Sequence, residues 1–175
     1  MGAASEALRA VDAAPAMPAP FEALFRREYP RVVAIAYRVV RDGDEAEDVA
    51  QDVFVSFYRK HPADAGYAPA WLHAAAVHTA LNAIRSRERR GRRETVDALA
   101  RDVPVDPAQH AEDAEARAEV RRALARMDER AASLLVLRYS GLSYDEIAAA
   151  LGLRKSSIGT LLRRAEDAFR KEVTR

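Results

Sequence analysis

Apolar residues return at helical spacing along almost the whole chain from Phe21 onward, and no stretch alternates for long enough to suggest a strand. Phe21, Leu24 and Phe25 lead into Tyr29, Val32, Ala36 and Val39, with Pro30 expected either to open a second helix at its first turn or to kink a continuous one. Asp42-Gly43 signals a turn, and Asp44 with Glu47 suggests a capping box for a helix reaching about Tyr58 that buries Ala46, Val49, Val53 and Phe57. His61–Pro69, with two prolines and a glycine, predicts a loop. A long helix follows from about Pro69 to about Arg90, with Leu72, Ala76, Ala80 and Ala83 on one buried side and Val77, Leu81 and Ile84 on another. Further helices are expected near Ala111–Met127, Asp128–Tyr139, Tyr144–Leu151 and Ser157–Val173.

The pattern divides the chain. Met1–Pro20 is rich in Ala and Pro and reads as a disordered tail. Residues 21–95 form a first helical domain and 111–175 a second. Between them, residues 96–110 carry Asp97, Asp102 and Asp106, with Pro104 and Pro107 opposing a regular helix, and read as an acidic linker. Fifteen extended residues could span roughly 50 Å, so the two domains need not touch. The expected fold class is all-α: two small helical domains joined by an acidic linker, the second a helix-turn-helix.

The last two helices carry the sharpest local signal. Ser143-Tyr144-Asp145-Glu146 matches a capping box that starts a helix at Tyr144. Ile147 and Leu151 share its buried face, small Ala148 lets a neighbour approach, and Gly152 suits the left-handed residue that ends a helix. Ser156 or Ser157 is placed to cap the next helix, which buries Ile158, Leu162, Ala165 and Phe169 and exposes Thr160, Arg163 and Arg164. Two short helices about a tight glycine turn read as a helix-turn-helix, whose second helix would enter the major groove while arginines meet phosphates; the alternative is an ordinary helical hairpin whose serines are only caps.

Composition narrows the function. Among 175 residues there is no cysteine, which removes disulfides and thiolate metal sites. Charged residues make up 31% of the chain but the net charge is only +1, so nucleic-acid affinity must come from local clustering. Such a cluster ends the long helix: Arg85, Arg87, Arg89, Arg90, Arg92 and Arg93. His78, Asn82, Arg85 and Arg89 run along one stripe into it, as a nucleic-acid face would. On the preceding helix Glu45, Asp48 and Asp52 share a face with Gln51 beside them, either a solvated stripe or a partner surface. No glycine-rich phosphate loop or nucleophile motif is present, and His73 and His78, five apart, do not form a metal-ligand pair, so neither catalysis nor a cofactor is expected. No apolar run approaches the roughly 20 residues of a membrane span and no signal peptide is evident, which makes the cytoplasm the expected compartment.

Three segments in order, EAEDVAQDVFVSFY (Glu45–Tyr58), AWLHAAAVHTALNAIRSRERR (Ala70–Arg90) and LARMDERAASLLVLRYSGLSYDEIAAALGL (Leu124–Leu153), resemble the two conserved domains of an extracytoplasmic-function (ECF) sigma factor of bacterial RNA polymerase. The resemblance spans about Phe21 to Val173. It implies that Asp48, Gln51, Asp52 and Phe54 dock on the coiled coil of the polymerase's largest subunit, with the flap as a second contact. It implies that the long helix and the loop before it melt and read the minus-ten element through Tyr67, His78, Asn82, Arg85 and Arg89, with Trp71 mainly in the core. The C-terminal helix-turn-helix would read the minus-thirty-five element as duplex through Ser157, Thr160, Leu161, Arg163 and Arg164, and the acidic linker would thread the RNA exit path. An anti-sigma factor is a further implied partner. Two departures stand out: His78 occupies a place where many members have Asn, and Gly159 and Leu161 replace a common Lys and Arg. The competing reading is a free-standing helix-turn-helix regulator without polymerase binding, for which the acidic and basic N-terminal helices would have no use.

Overall fold

The computed structural model describes residues 17–97 and 108–174, and every regular element among them is an α-helix. They are α1 (Ala19–Val40), α2 (Gly43–Lys60), α3 (Ala68–Asp97), α4 (Ala108–Arg126), α5 (Glu129–Tyr139), α6 (Tyr144–Leu151) and α7 (Lys155–Val173).

Helix α1 runs unbroken through Pro30, so the continuous alternative holds. A proline costs the helix one backbone donor, and here burial of Leu24, Val32, Ile35, Ala36 and Val39 on the same side outweighs that loss. The helix also begins inside the expected tail, at Ala19, with Pro20 in its first turn where a missing N–H is harmless. The rest of the tail, 1–16, lies outside the described residues.

Two caps differ from expectation. The N-cap of α2 is Asp42, whose carboxylate accepts from the Glu45 backbone N–H at 2.9 Å, so Asp44 lies inside the helix. The N-cap of α7 is Arg154, with no side-chain cap, and Ser156 and Ser157 fall within the first turn. The other two signals are met. Ser143 and Glu146 form a reciprocal capping box, and Gly152 ends α6 at φ 62°, a left-handed conformation that glycine adopts without steric cost.

Helix α3 continues past Arg90 and Gly91 to Asp97, and α4 opens at Ala108. The stretch without described structure is therefore 98–107, which contains Pro104 and Pro107.

The N-terminal and C-terminal helices do touch. Helix α3 packs on α1 and α2 along one side and on α4, α5 and α6 along another, and the buried side chains of both halves form one continuous apolar cluster. Its largest members include Phe57, Ile35, Leu72, Leu81, Ile84, Leu137, Ile147 and Ile158. The expected reach of the linker permitted separation, but the apolar sides of α3 exceed what α1 and α2 can cover, and α4–α6 bury the remainder.

Candidate polymerase and nucleic-acid interfaces

The acidic stripe of α2 faces outward. Asp48, Gln51 and Asp52 are exposed, while Glu45, one turn earlier, pairs with Arg87 of α3. Phe54 does not join them. It is 2% exposed and meets Phe21, Phe25 and Tyr29 edge-on or tilted, with centroids 4.9–6.2 Å apart. Its ring therefore anchors α2 onto α1 and is not available as a docking contact. The helical period explains the error: Phe54 follows Asp52 by two residues, about 200° around the helix.

An aromatic cluster marks the start of α3. Tyr67 is exposed, and its hydroxyl lies 3.3 Å from His61 Nδ1. The His61 ring sits between Tyr67 and Trp71, with centroids at 5.8 and 4.8 Å, and half-buried Trp71 continues to Phe57 at 5.4 Å. Tyr67 is thus an exposed ring on a rigid base.

The polar stripe of α3 is engaged by the other half of the chain. Exposed Asn82 lies against His78, Nδ2 to Nδ1 at 3.2 Å, and His78 Nε2 is 3.4 Å from Glu129. Arg85 makes three bonds across the molecule: Nε to the Ala125 carbonyl at 3.3 Å, Nη2 to the Met127 carbonyl at 3.1 Å, and Nη1 to Glu129 Oε2 at 3.2 Å. The two carbonyls belong to the C-terminal end of α4, where helix acceptors lack intrahelical partners and the dipole is negative. A planar guanidinium satisfies both while holding the first-turn carboxylate of α5. Arg89 points elsewhere, to Ser86 Oγ at 3.0 Å.

A second bridge joins the halves farther along α1. Arg31 reaches Glu146 at 2.8 Å, and Glu146 closes the capping box, taking the Ser143 backbone N–H at 2.8 Å and its hydroxyl at 2.9 Å. The backbone bond from Ser143, with the Ser143 hydroxyl and Arg31, holds the Glu146 carboxyl below its ordinary pKa.

Sequence reasoning missed a buried pair beneath this bridge. His73 and Glu28 are 2% and 6% exposed, and Nε2 lies 3.0 Å from Oε2. The other Glu28 oxygen accepts from Arg27 Nε at 2.9 Å. Burial pushes the His73 pKa below its usual value, against the pull of Glu28. The available signal was a titratable residue falling on the apolar side of each of two helices.

On the helix-turn-helix, a shallow concave surface is lined by Tyr144, Arg154, Lys155, Ser156, Gly159, Thr160 and Arg163. Arg154 and Lys155 add two cations at the helix start that sequence reasoning did not single out, beside Ser156, which it took only as a possible cap; Lys155 is also paired with Asp145 at 2.7 Å. Ser157 is half-buried, and Thr160, Arg163 and Arg164 are exposed. Leu161 is turned away: it is half-buried and packs against the core, which removes it from the groove-facing set. Gly159 does lie on the groove face. A Cβ there would stand 3.7 Å from Tyr144 Cε2, in ordinary contact.

Residues 24–90 match the family model described as sigma-70 region 2, and residues 117–168 match that of sigma-70 region 4. The chain is 31% identical over 163 residues to the ECF RNA polymerase sigma factor SigE of Mycolicibacterium smegmatis, an alignment covering 89% of this chain and 62% of SigE, so it spans less than two thirds of that relative's length. It is 28% identical to the RNA polymerase sigma factor YlaC of Bacillus subtilis, across 88% of this chain and 92% of YlaC. The fold resembles RpoE of Bartonella quintana, solved with the anti-sigma factor NepR, at TM-score 0.52 and 22% identity over 88% of this chain and 96% of that one. It also resembles CnrH, solved with the cytosolic domain of CnrY, at TM-score 0.55 and 22% identity over 94% of each chain. With both regions present in order on one helical scaffold, the chain belongs to the ECF group of RNA polymerase sigma factors.

Proposed function

We propose that this sigma factor divides promoter recognition between its two halves: residues 21–95 bind core polymerase and open the minus-ten element, and residues 111–175 read the minus-thirty-five element as duplex. The outward α2 face of Asp48, Gln51 and Asp52 is the docking surface for the coiled coil of the polymerase's largest subunit, with Phe54 holding that face in place from beneath. Tyr67 offers a stacking surface for an unpaired base, and Asn82, Arg85 and Arg89, with His78, offer hydrogen-bond donors and charge to the opened strand. The concave face of Arg154, Lys155, Ser156, Thr160 and Arg163, with Arg164 at its margin, seats on duplex DNA through phosphate contacts. Chemistry belongs to the polymerase; this chain selects where it begins, in the cytoplasm, where polymerase works. No described helix is long and apolar enough to cross a membrane. RpoE was solved with the anti-sigma factor NepR and CnrH with the cytosolic domain of CnrY, and an anti-sigma factor is an expected partner here too.

The observation that carries this reading is an exposed acidic face and two cation-rich faces on one shared core. The deciding experiment is run-off transcription with purified core polymerase and a library of genomic promoter fragments. Specific initiation that requires this chain, with the chain co-migrating with core, supports the proposal. DNA binding without either would leave a free-standing regulator.

A further inference from the structure

Away from these faces, a cavity of about 400 Å³ opens where the C-terminal end of α1 meets α4, α5 and α7, within the roughly 300–1,000 Å³ range of small-molecule pockets. Its floor is apolar, built from Leu124, Leu135 and Phe169 with their neighbours. Its rim carries three guanidinium groups, Arg38, Arg41 and Arg170, against one carboxylate, Glu166. Arg170 is paired with Asp167 at 2.7 Å, and Glu166 lies 3.5 Å from the Tyr139 hydroxyl. The remaining balance is cationic and centres on Arg41.

Arg41 is unusual twice over. Its guanidinium lies over the Tyr37 ring, 5.7 Å from the centroid, yet its Nε is buried with no hydrogen-bond partner among the described residues, and a buried donor left unsatisfied is costly and rare in native proteins. It also ends α1 as its left-handed C-cap, its backbone N–H donating to the Tyr37 carbonyl, and is the one non-glycine residue with positive φ among those described, at 59°. That conformation is sterically disfavoured for a side chain bearing Cβ, and glycine would occupy it freely. Arg41 therefore stands at the edge of an apolar cavity with Nε placed to donate to an acceptor bound there.

We propose that this cavity binds a small amphiphilic anion, its apolar body against Leu124, Leu135 and Phe169 and its acidic head on Arg41 and Arg38. Because the arginines come from α1 and the floor from α4, α5 and α7, the bound molecule bridges the two halves and favours their joined arrangement over a parted one, as any ligand favours the state that holds its complete site.

The test uses the full chain and two fluorescent probes of similar shape, anionic 1-anilinonaphthalene-8-sulfonate and neutral N-phenyl-1-naphthylamine. The anionic probe should bind saturably, once per chain, at least tenfold more tightly than the neutral one. Arg41→Gly, which relieves the backbone, should leave thermal stability unchanged or higher while weakening the anionic probe tenfold or more. Val120→Trp, which fills the cavity from α4 without altering charge, should remove both probes. Equal affinity for the two probes, or anionic binding unaltered by Arg41→Gly in a chain of wild-type stability, would overturn the assignment. None of these readouts needs polymerase or promoter, so they stand apart from the sigma-factor reading.

Discussion

Arg85 on α3 and Glu129 on α5 lie 44 positions apart in the chain and 3.2 Å apart in space. Their contact joins the stripe proposed to meet the minus-ten strand to the half proposed to meet the minus-thirty-five element. Glu129→Gln should loosen this grip without emptying it, since two carbonyl bonds to Arg85 remain. A partly exposed ion pair contributes about 0.2–1 kcal/mol, so the free chain's affinity for a single-stranded minus-ten oligonucleotide should rise by up to about fivefold, measured by fluorescence anisotropy. No change in affinity would show that the contact does not restrain Arg85.

Asp48→Arg combined with Asp52→Arg should abolish association with core polymerase at unchanged helicity. Both side chains are exposed, and substitutions of that kind cost within about 0.5 kcal/mol each. Pull-down of core at wild-type yield by a folded double variant would dismiss the α2 face as the docking surface.

Gly159 and Leu161 should respond oppositely to the introduction of charge. A side chain at Gly159 fits beside Tyr144, so Gly159→Lys should steepen the slope of log affinity against log salt for minus-thirty-five duplex by about 0.9. Leu161 packs on the core, so Leu161→Arg should leave the slope unaltered and lower stability by about 1–3 kcal/mol. A steeper slope from Leu161→Arg would mean that the groove face has been misplaced.

The His73–Glu28 pair should make stability depend on pH. The folded-state pKa of His73 is lowered from 6.5, chiefly by burial, so the unfolded chain takes up the proton first. The stabilisation is full above pH 6.5 and is lost as pH falls through the lower folded value. Urea unfolding should therefore show a lower midpoint at pH 5.5 than at pH 7.5, and His73→Gln, which can still donate to Glu28, should narrow the difference. An undiminished difference in His73→Gln would assign the pH effect to other groups.

Most of the helices were legible because their signals are local. The Ser143–Glu146 box and Gly152 act within a few residues of themselves, and the periodicity of α2 and α3 reflects burial on fixed sides. What sequence reasoning missed depends on partners distant in the chain. Phe54 sits beside acidic neighbours in sequence yet turns inward because Phe21 and Phe25 wait for it on α1. Arg85 reads as a DNA-facing residue, and only the placement of α4 beside it reveals that its donors already have acceptors. Glu28 and His73 carry no joint signal across 45 positions. Leu161 stands among the DNA contacts that the family resemblance implies, and its packing against the core takes it out of them.

The unequal accessibility of the two N-terminal faces has a consequence for timing. Asp48, Gln51 and Asp52 are open to a partner in the joined arrangement, whereas Arg85 is taken up internally. Under the proposed assignment, polymerase can capture the chain before the strand-reading stripe is released, and the free energy of capture is available to part the halves. The chain then behaves as a coincidence gate: a promoter meets an uncovered Arg85 only when polymerase is already aboard. Stray sites across the chromosome are met by a molecule whose Arg85 is still held inside.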